Sequence, residues 1–190
     1  MLSGEVINAV LAIRSKLLNL GDIDTLKTNL AFMHQVIAAS ERLLEEAASE
    51  ASGDLKAYYL AHLEEERQHE KWLADDLLSH GVDVKKLPLM RKAVEMAGSQ
   101  YYLIKHVHPA CLLGYMAVLE GFPMPLELVD QLEQLHGKQL IRTLRFHAEH
   151  DPEHRKEVFR MIDKEARPEI LSNAVQTAIY LNEFAQELEG

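Results

Sequence analysis

The chain has 190 residues, about one domain's length, of which 47% are hydrophobic, 26% charged and 6% aromatic. Thirty acidic residues against twenty basic ones leave a net charge of −10, and no run of Lys or Arg exceeds two, so nucleic acid and an anionic membrane surface are excluded as partners. Nine Gly and six Pro are too few for a loop-rich sandwich or a low-complexity chain, which leaves helices as the building material.

Breakers fall at Gly21-Asp22, Ser52-Gly53-Asp54, Gly81, Gly98-Ser99, Gly121 to Pro125, Gly137 and Pro168. Between them apolar residues recur at helical spacing. Helices are expected near residues 2–20, 24–50, 54–80, 86–97, 100–121, 125–164 with a break at Gly137, and 167–188. No stretch alternates as a strand would, and no repeat is visible. The expected fold is an all-α bundle of about seven helices, a single domain over residues 1–190. The uncharged run His106 to Leu119 is too short to span a membrane. The N-terminal segment carries Glu5 and no basic leader, so the cytoplasm is the expected compartment. The single cysteine, Cys111, sits in an apolar run where inert burial is favoured over catalysis.

Three helices place acid and imidazole groups on faces that should be buried. With residues about 100° apart around the helix axis and His62 at zero, Leu55, Tyr58, Tyr59, Leu73 and Leu77 form the core stripe of segment 54–80. His62, Glu66 and His69 share it, while Glu64, Arg67, Gln68, Lys71 and Asp75 face the other way. In segment 139–164, Leu140, Thr143, Leu144, Val158, Met161 and Ile162 mark the stripe, and His147, Asp151 and His154 lie along it. The stripe keeps its phase across Asp151-Pro152, which favours one kinked helix, although Asp151 as an N-cap before Pro152 is an even alternative. Segment 110–119 is uncharged all round and therefore central, and it ends at Glu120, on one arc with Leu113, Met116 and Ala117. A buried carboxylate there is costly unless protonated, paired or metal-bound. The coincidence of three such helices outweighs a bland reading of each, and points to a two-metal site between helices. Carboxylate and imidazole without thiolate suit iron or manganese, with zinc open.

Three segments, taken in order, carry a family resemblance: His62-Leu63-Glu64-Glu65-Glu66-Arg67-Gln68-His69, then His108-Pro109 through Leu119-Glu120-Gly121, then His147-Ala148-Glu149-His150-Asp151-Pro152-Glu153-His154. The series Glu-x-x-His, Glu, His-x-x-x-Asp-x-x-His resembles the heme-oxygenase-like diiron oxidases, also described as iron-containing redox enzymes, over roughly residues 30 to 165. The resemblance implies a heme-oxygenase-like bundle with Glu66, His69, Glu120, His147, Asp151 and His154 as ligands of two ferrous ions, with dioxygen as cosubstrate. Some members carry the first carboxylate a turn earlier, where this chain has His62. That residue is therefore a seventh ligand, a partner of the ligands or a pocket residue. Members of the family act on fatty acids and amino acids, so the expected substrate is a small amine- or carboxylate-bearing metabolite. Tyr58, Tyr59, Tyr102, His106 and Met116 share the inner faces as candidate pocket residues. The chain is shorter than typical members, and a homodimer that completes its covering is the expected assembly. Three alternatives stand beside this reading. A bundle of the thiaminase-II or cofactorless-oxidase kind would carry no diiron site, the thiaminase needing a nucleophile for which Cys111 is a poor candidate; a heme protein would need His34 as its axial ligand, and a metal-binding protein without catalysis would need neither.

Overall fold

The computed structural model describes residues 1–13 and 18–189. Among these the chain is all-α, with no strand. Its helices are α1 (Leu2–Ile13), α2 (Ile23–Glu50), α3 (Gly53–Glu66), α4 (His69–Leu78), α5 (Arg91–His106), α6 (Leu112–Leu119), α7 (Leu126–His136), α8 (Lys138–Glu165) and α9 (Pro168–Glu189). Single 3-10 turns at Val84–Lys86 and Pro109–Cys111 link α4 to α5 and α5 to α6. None of these helices is long and apolar enough to cross a membrane.

Most ends fall where the sequence places them. Asp22 caps α2 by accepting a hydrogen bond from the Thr25 amide, and Ala166 closes α8 in the left-handed region just ahead of Pro168. Three boundaries depart from expectation. The first helix, expected to Leu20, is described only to Ile13, and residues 14–17 lie outside the described residues. The expected break at Gly98-Ser99 is absent, because α5 runs through it and stops at Val107-His108. Pro109 fixes that stop, since the residue before a proline is disfavoured in helical conformation, and the His108 side chain accepts from the Ala110 amide to start the next turn. The single helix expected over 54–80 is two, divided at Arg67-Gln68, with Gln68 at φ 74°.

Helix α6 is central, with every residue from Leu112 to Val118 buried. Its approach to α9 depends on Gly114, where a Cβ would stand 2.3 Å from the Ile170 carbonyl and 2.8 Å from the Ala174 amide nitrogen. Asn173 of α9 locks the entrance to α6 by donating to the Cys111 carbonyl and pairing with Gln100 of α5. Two apolar clusters flank the middle of the bundle. One joins α1, α3, α5, α6 and α9 to the C-terminal parts of α2 and α8, and the other joins α4 and α7 to the N-terminal parts of α2 and α8. Between α4 and α8, the fully buried Asp76 carboxylate accepts from the Thr143 amide and hydroxyl and pairs with Arg142 at 2.7 Å. That bond fixes the register of the two helices that carry His69 and His147.

Gly114→Ala would press a methyl group against backbone that cannot rotate away. The substitution is expected to cost about 1–3 kcal/mol, read as a melting temperature lower by roughly 2–4 °C per kcal/mol in a thermal unfolding curve.

Candidate metal centre

The two clusters meet around a group of acid and imidazole side chains drawn from α3, α4, the end of α6 and α8. His62, Glu66 and His69 are buried at 2%, 6% and 2% exposure, although each carries a polar head. Their donor atoms sort into two trios, His62 with Glu120 and His154, and Glu66 with His69 and His147, and within each trio the atoms lie no more than 4.8 Å apart. The rings of His62 and His154 stand 5.1 Å apart, as do those of His69 and His147.

Two carboxylates connect the trios. One Glu66 oxygen is 3.4 Å from His69 Nδ1 and the other is 3.9 Å from His62 Nε2. Asp151 Oδ1 is 3.3 Å from His147 Nδ1 and 3.9 Å from His154 Nδ1. Glu120 belongs to the first trio, with Oε1 at 3.0 Å from His62 Nε2 and Oε2 at 3.9 Å from His154 Nδ1. Asp151 lies well inside α8, which runs unbroken through Pro152, so its reading as a helix N-cap is corrected. Pro152 has no amide hydrogen to offer the Ala148 carbonyl, which relaxes the helix between His147 and His154.

The electrostatics are those of a site that needs counter-charge. Burial opposes the charged form of His62, yet Glu120, Glu66 and Glu65 outweigh it and lift the imidazole to about 9. Burial likewise opposes protonation of His147, while Asp151 and Glu66 raise its pKa above the usual histidine value. Glu66 is held below the usual carboxylate range despite its burial, because His69, His147 and His62 surround it. Four buried atoms in the group, His69 Nδ1, Glu120 Oε2, His147 Nε2 and His154 Nδ1, make no hydrogen bond. Unsatisfied donors and acceptors are costly in a protein interior, and a cluster of them on nitrogen and carboxylate oxygen fits a divalent cation in each trio.

All seven residues singled out from the sequence as ligands or as their partner, His62 included, fall into this group. The pocket candidates divide. Met116 lines the cavity beside the group. Tyr58 is buried with its ring centroid 5.9 Å from that of His62, and Tyr59 is core, donating to the Pro109 carbonyl at 2.9 Å. Tyr102, at 63% exposure, and His106 lie on the outer surface of α5, so their placement on an inner face is corrected. The expected helix over 100–121 carried one phase from Tyr102 to Glu120, and the break at Pro109 resets it.

Glu65 is not among the expected ligands, but its carboxylate reaches His154 Nε2 at 3.5 Å and His62 Nδ1 at 3.8 Å. It thus faces the ring nitrogens opposite those turned toward Glu120, where a carboxylate orients an imidazole and raises its basicity. The signal was its position three residues after His62. A cavity of about 990 Å³ opens onto His62, Glu66, Glu120, His147 and Asp151 and continues between α2, α6, α8 and α9.

No protein-family model and no curated protein sequence matches the chain. Solved structures do. A domain of unknown function with a heme oxygenase-like fold from Shewanella denitrificans OS217 superposes with a TM-score of 0.74 at 15% identity, covering 99% of this chain and 90% of that one. The chain has a heme-oxygenase-like fold. A TenA homolog from Pseudomonas syringae pv. tomato str. DC3000 gives a TM-score of 0.75 at 11% identity, over 98% of this chain and 91% of that one.

Glu65→Ala is expected to weaken binding of Mn(II) or Co(II) by about 10–100-fold in a metal titration, leaving the fold intact by circular dichroism. His62→Ala, which removes a donor from one trio only, is expected to leave one of two binding equivalents in the same titration.

Proposed function

We propose that this chain is a non-heme diiron protein that uses dioxygen to oxidise a small organic substrate. The observation that carries the reading is the pair of carboxylates, Glu66 and Asp151, each standing between two separate imidazole-bearing trios. A carboxylate has two oxygens and can span two cations, whereas an imidazole serves one. The three carboxylates Glu66, Glu120 and Asp151 would offset most of the charge of two divalent ions, and His69, His147, His154 and His62 would complete the donor set. Two ferrous ions held there would supply electrons for the activation of dioxygen, and manganese fits the same donors.

The remaining residues fit that role. Glu65 orients His62 and His154 from the outer side, and the Asp76 bond to Thr143 fixes His69 against His147. Trp72 and Phe146 pack around His69, with ring centroids 4.7 and 5.0 Å from it, and exclude water from that imidazole. The cavity gives a substrate access to the inner face of the cluster. A hydrolytic reading that relies on Cys111 is disfavoured, because that residue is 1% exposed, does not line the cavity, and has its thiol pKa raised by burial. A heme reading rests on a residue engaged elsewhere. His34, the residue it would need, pairs with Glu70 at 3.5 Å and is absent from the cavity wall.

Loading with ferrous iron under anaerobic conditions, followed by air, is expected to give about two irons per chain and a transient visible absorption band. Stoichiometric heme or zinc with no oxygen uptake would overturn the proposal. Asp151→Asn keeps the size of the side chain and removes its charge, and is expected to lose iron and oxygen uptake while the protein stays folded. Full iron content with unchanged oxygen consumption in that variant would remove Asp151 from the site.

A further inference from the structure

Trp72 is the one tryptophan of the chain, and it stands against a residue of the metal centre. On α4 it follows His69 by three residues, which puts the two side chains on one face, with ring centroids 4.7 Å apart. Phe146 of α8 closes the corner, edge-on to His69 at 5.0 Å and to Trp72 at 5.1 Å. We propose that Trp72 is a one-electron relay between the metal centre and the protein surface, used when dioxygen reacts with no substrate in the cavity. The relay rests on the diiron reading and adds to it a route by which unused oxidising power leaves the site.

Of the three rings in that corner, the indole is the one that gives up an electron readily, whereas a phenyl ring and an imidazole do not. Trp72 is also half-buried, and its indole N–H makes no hydrogen bond within the described residues, so one side of the ring meets His69 and another meets water. Loss of an electron makes an indole N–H strongly acidic, and here the proton has solvent to go to. Tyr58 gives the contrast. It packs on His62 of the other trio with ring centroids 5.9 Å apart, but its hydroxyl is buried and makes no hydrogen bond, so its proton has no acceptor. Trp72 is also held from behind. Arg142 Nη2 donates to its carbonyl at 3.0 Å, and Arg142 is in turn tied to Asp76.

Dioxygen needs four electrons and four protons to become two molecules of water. Two ferrous ions supply two of the electrons as they become ferric. Trp72 gives the third electron and its Nε1 proton, which leaves a neutral indole radical. Ascorbate, a small reductant in solution, gives the fourth electron with one proton, and the other two protons come from solvent. A second ascorbate returns an electron and a proton to the indole and restores it. The cavity wall shows what the relay protects. Met33, Met116 and Met124 line it, and an oxidant left there without a substrate converts a thioether to a sulfoxide.

The test loads the purified chain with ferrous iron under anaerobic conditions, adds one equivalent of ascorbate, mixes it with oxygenated buffer and freezes samples at intervals for electron paramagnetic resonance. A transient radical signal is expected, narrowed when the protein is made with ring-deuterated tryptophan and lost when ascorbate is in excess. Because the chain has one Trp, the deuterium effect identifies Trp72 without any substitution. Trp72→Phe keeps an aromatic ring against His69. That variant is expected to hold as much iron as the unaltered chain, to give no such signal, and to raise sulfoxide at Met116 about threefold or more by peptide mass spectrometry. An unaltered chain that takes up iron and oxygen without a deuterium-sensitive signal, or equal oxidation of Met116 in the two proteins, would overturn the relay alone. A chain that binds no iron, or binds it without oxygen uptake, defeats the diiron reading and the relay with it.

Discussion

Three carboxylates and four imidazoles share the centre of this bundle, and the electrostatic demand of that group is the constraint on which the rest of the structure turns. Charged groups are tolerated inside a protein when paired, hydrogen-bonded or bound to a cation. Pairing meets part of the demand, through Glu120 with His62 and Glu66 with His69, and four buried polar atoms of the group still make no hydrogen bond. A purely structural network would be selected for full satisfaction, because each unpaired atom destabilises the fold by about 1–3 kcal/mol. A site that holds cations has the opposite requirement, since lone pairs already committed to hydrogen bonds are less available to a metal.

The scaffold is arranged to bring that group together from four helices. Gly114 allows α6 to lie directly on the α9 backbone, and so carries Glu120 into the centre. The Asp76 bond to Thr143 and the pair with Arg142 hold α4 to α8 close to His69 and His147. Between Glu66 and His69 the chain leaves helical conformation altogether. Gln68 sits at φ 74°, a conformation that costs a non-glycine residue free energy, and its amide donates to the Glu41 carboxylate of α2 at 3.0 Å. The break rotates His69 relative to Glu66, so that the two side chains serve one trio while His62, a turn earlier, serves the other.

How much of this could be read from the sequence depended on whether helical phase survived. Along α8 it did. His147, Asp151 and His154 keep their spacing through Pro152, and their shared face follows from periodicity alone. Within α3, His62 and Glu66 are one turn apart and equally legible. His69 reached its place by a different route, since it belongs to a separate helix and periodicity across Gln68 placed it on the right face for the wrong reason. Tyr102 and His106 show the same assumption failing, because the break at Val107-His108 separates their phase from that of Met116. Neither break carries a glycine. The first is held by a contact from α2 and the second by a proline that acts on the residues before it. Glu65 was hidden for another reason. It is an exposed side chain that bends back over the site, and an angle around a helix axis gives the direction of the Cβ, not the reach of a long side chain.

Among the described residues, charge is distributed unevenly over the cavity lining. Anionic groups are confined to the cluster, where Glu66, Glu120 and Asp151 face imidazoles across distances that cations would close. Outside it, the described residues of the lining are neutral apart from Arg155, which stands over the Phe159 ring. An apolar body entering the cavity would be driven against walls of Leu, Met, Ile and Phe by release from water, and would meet the polar cluster on one wall.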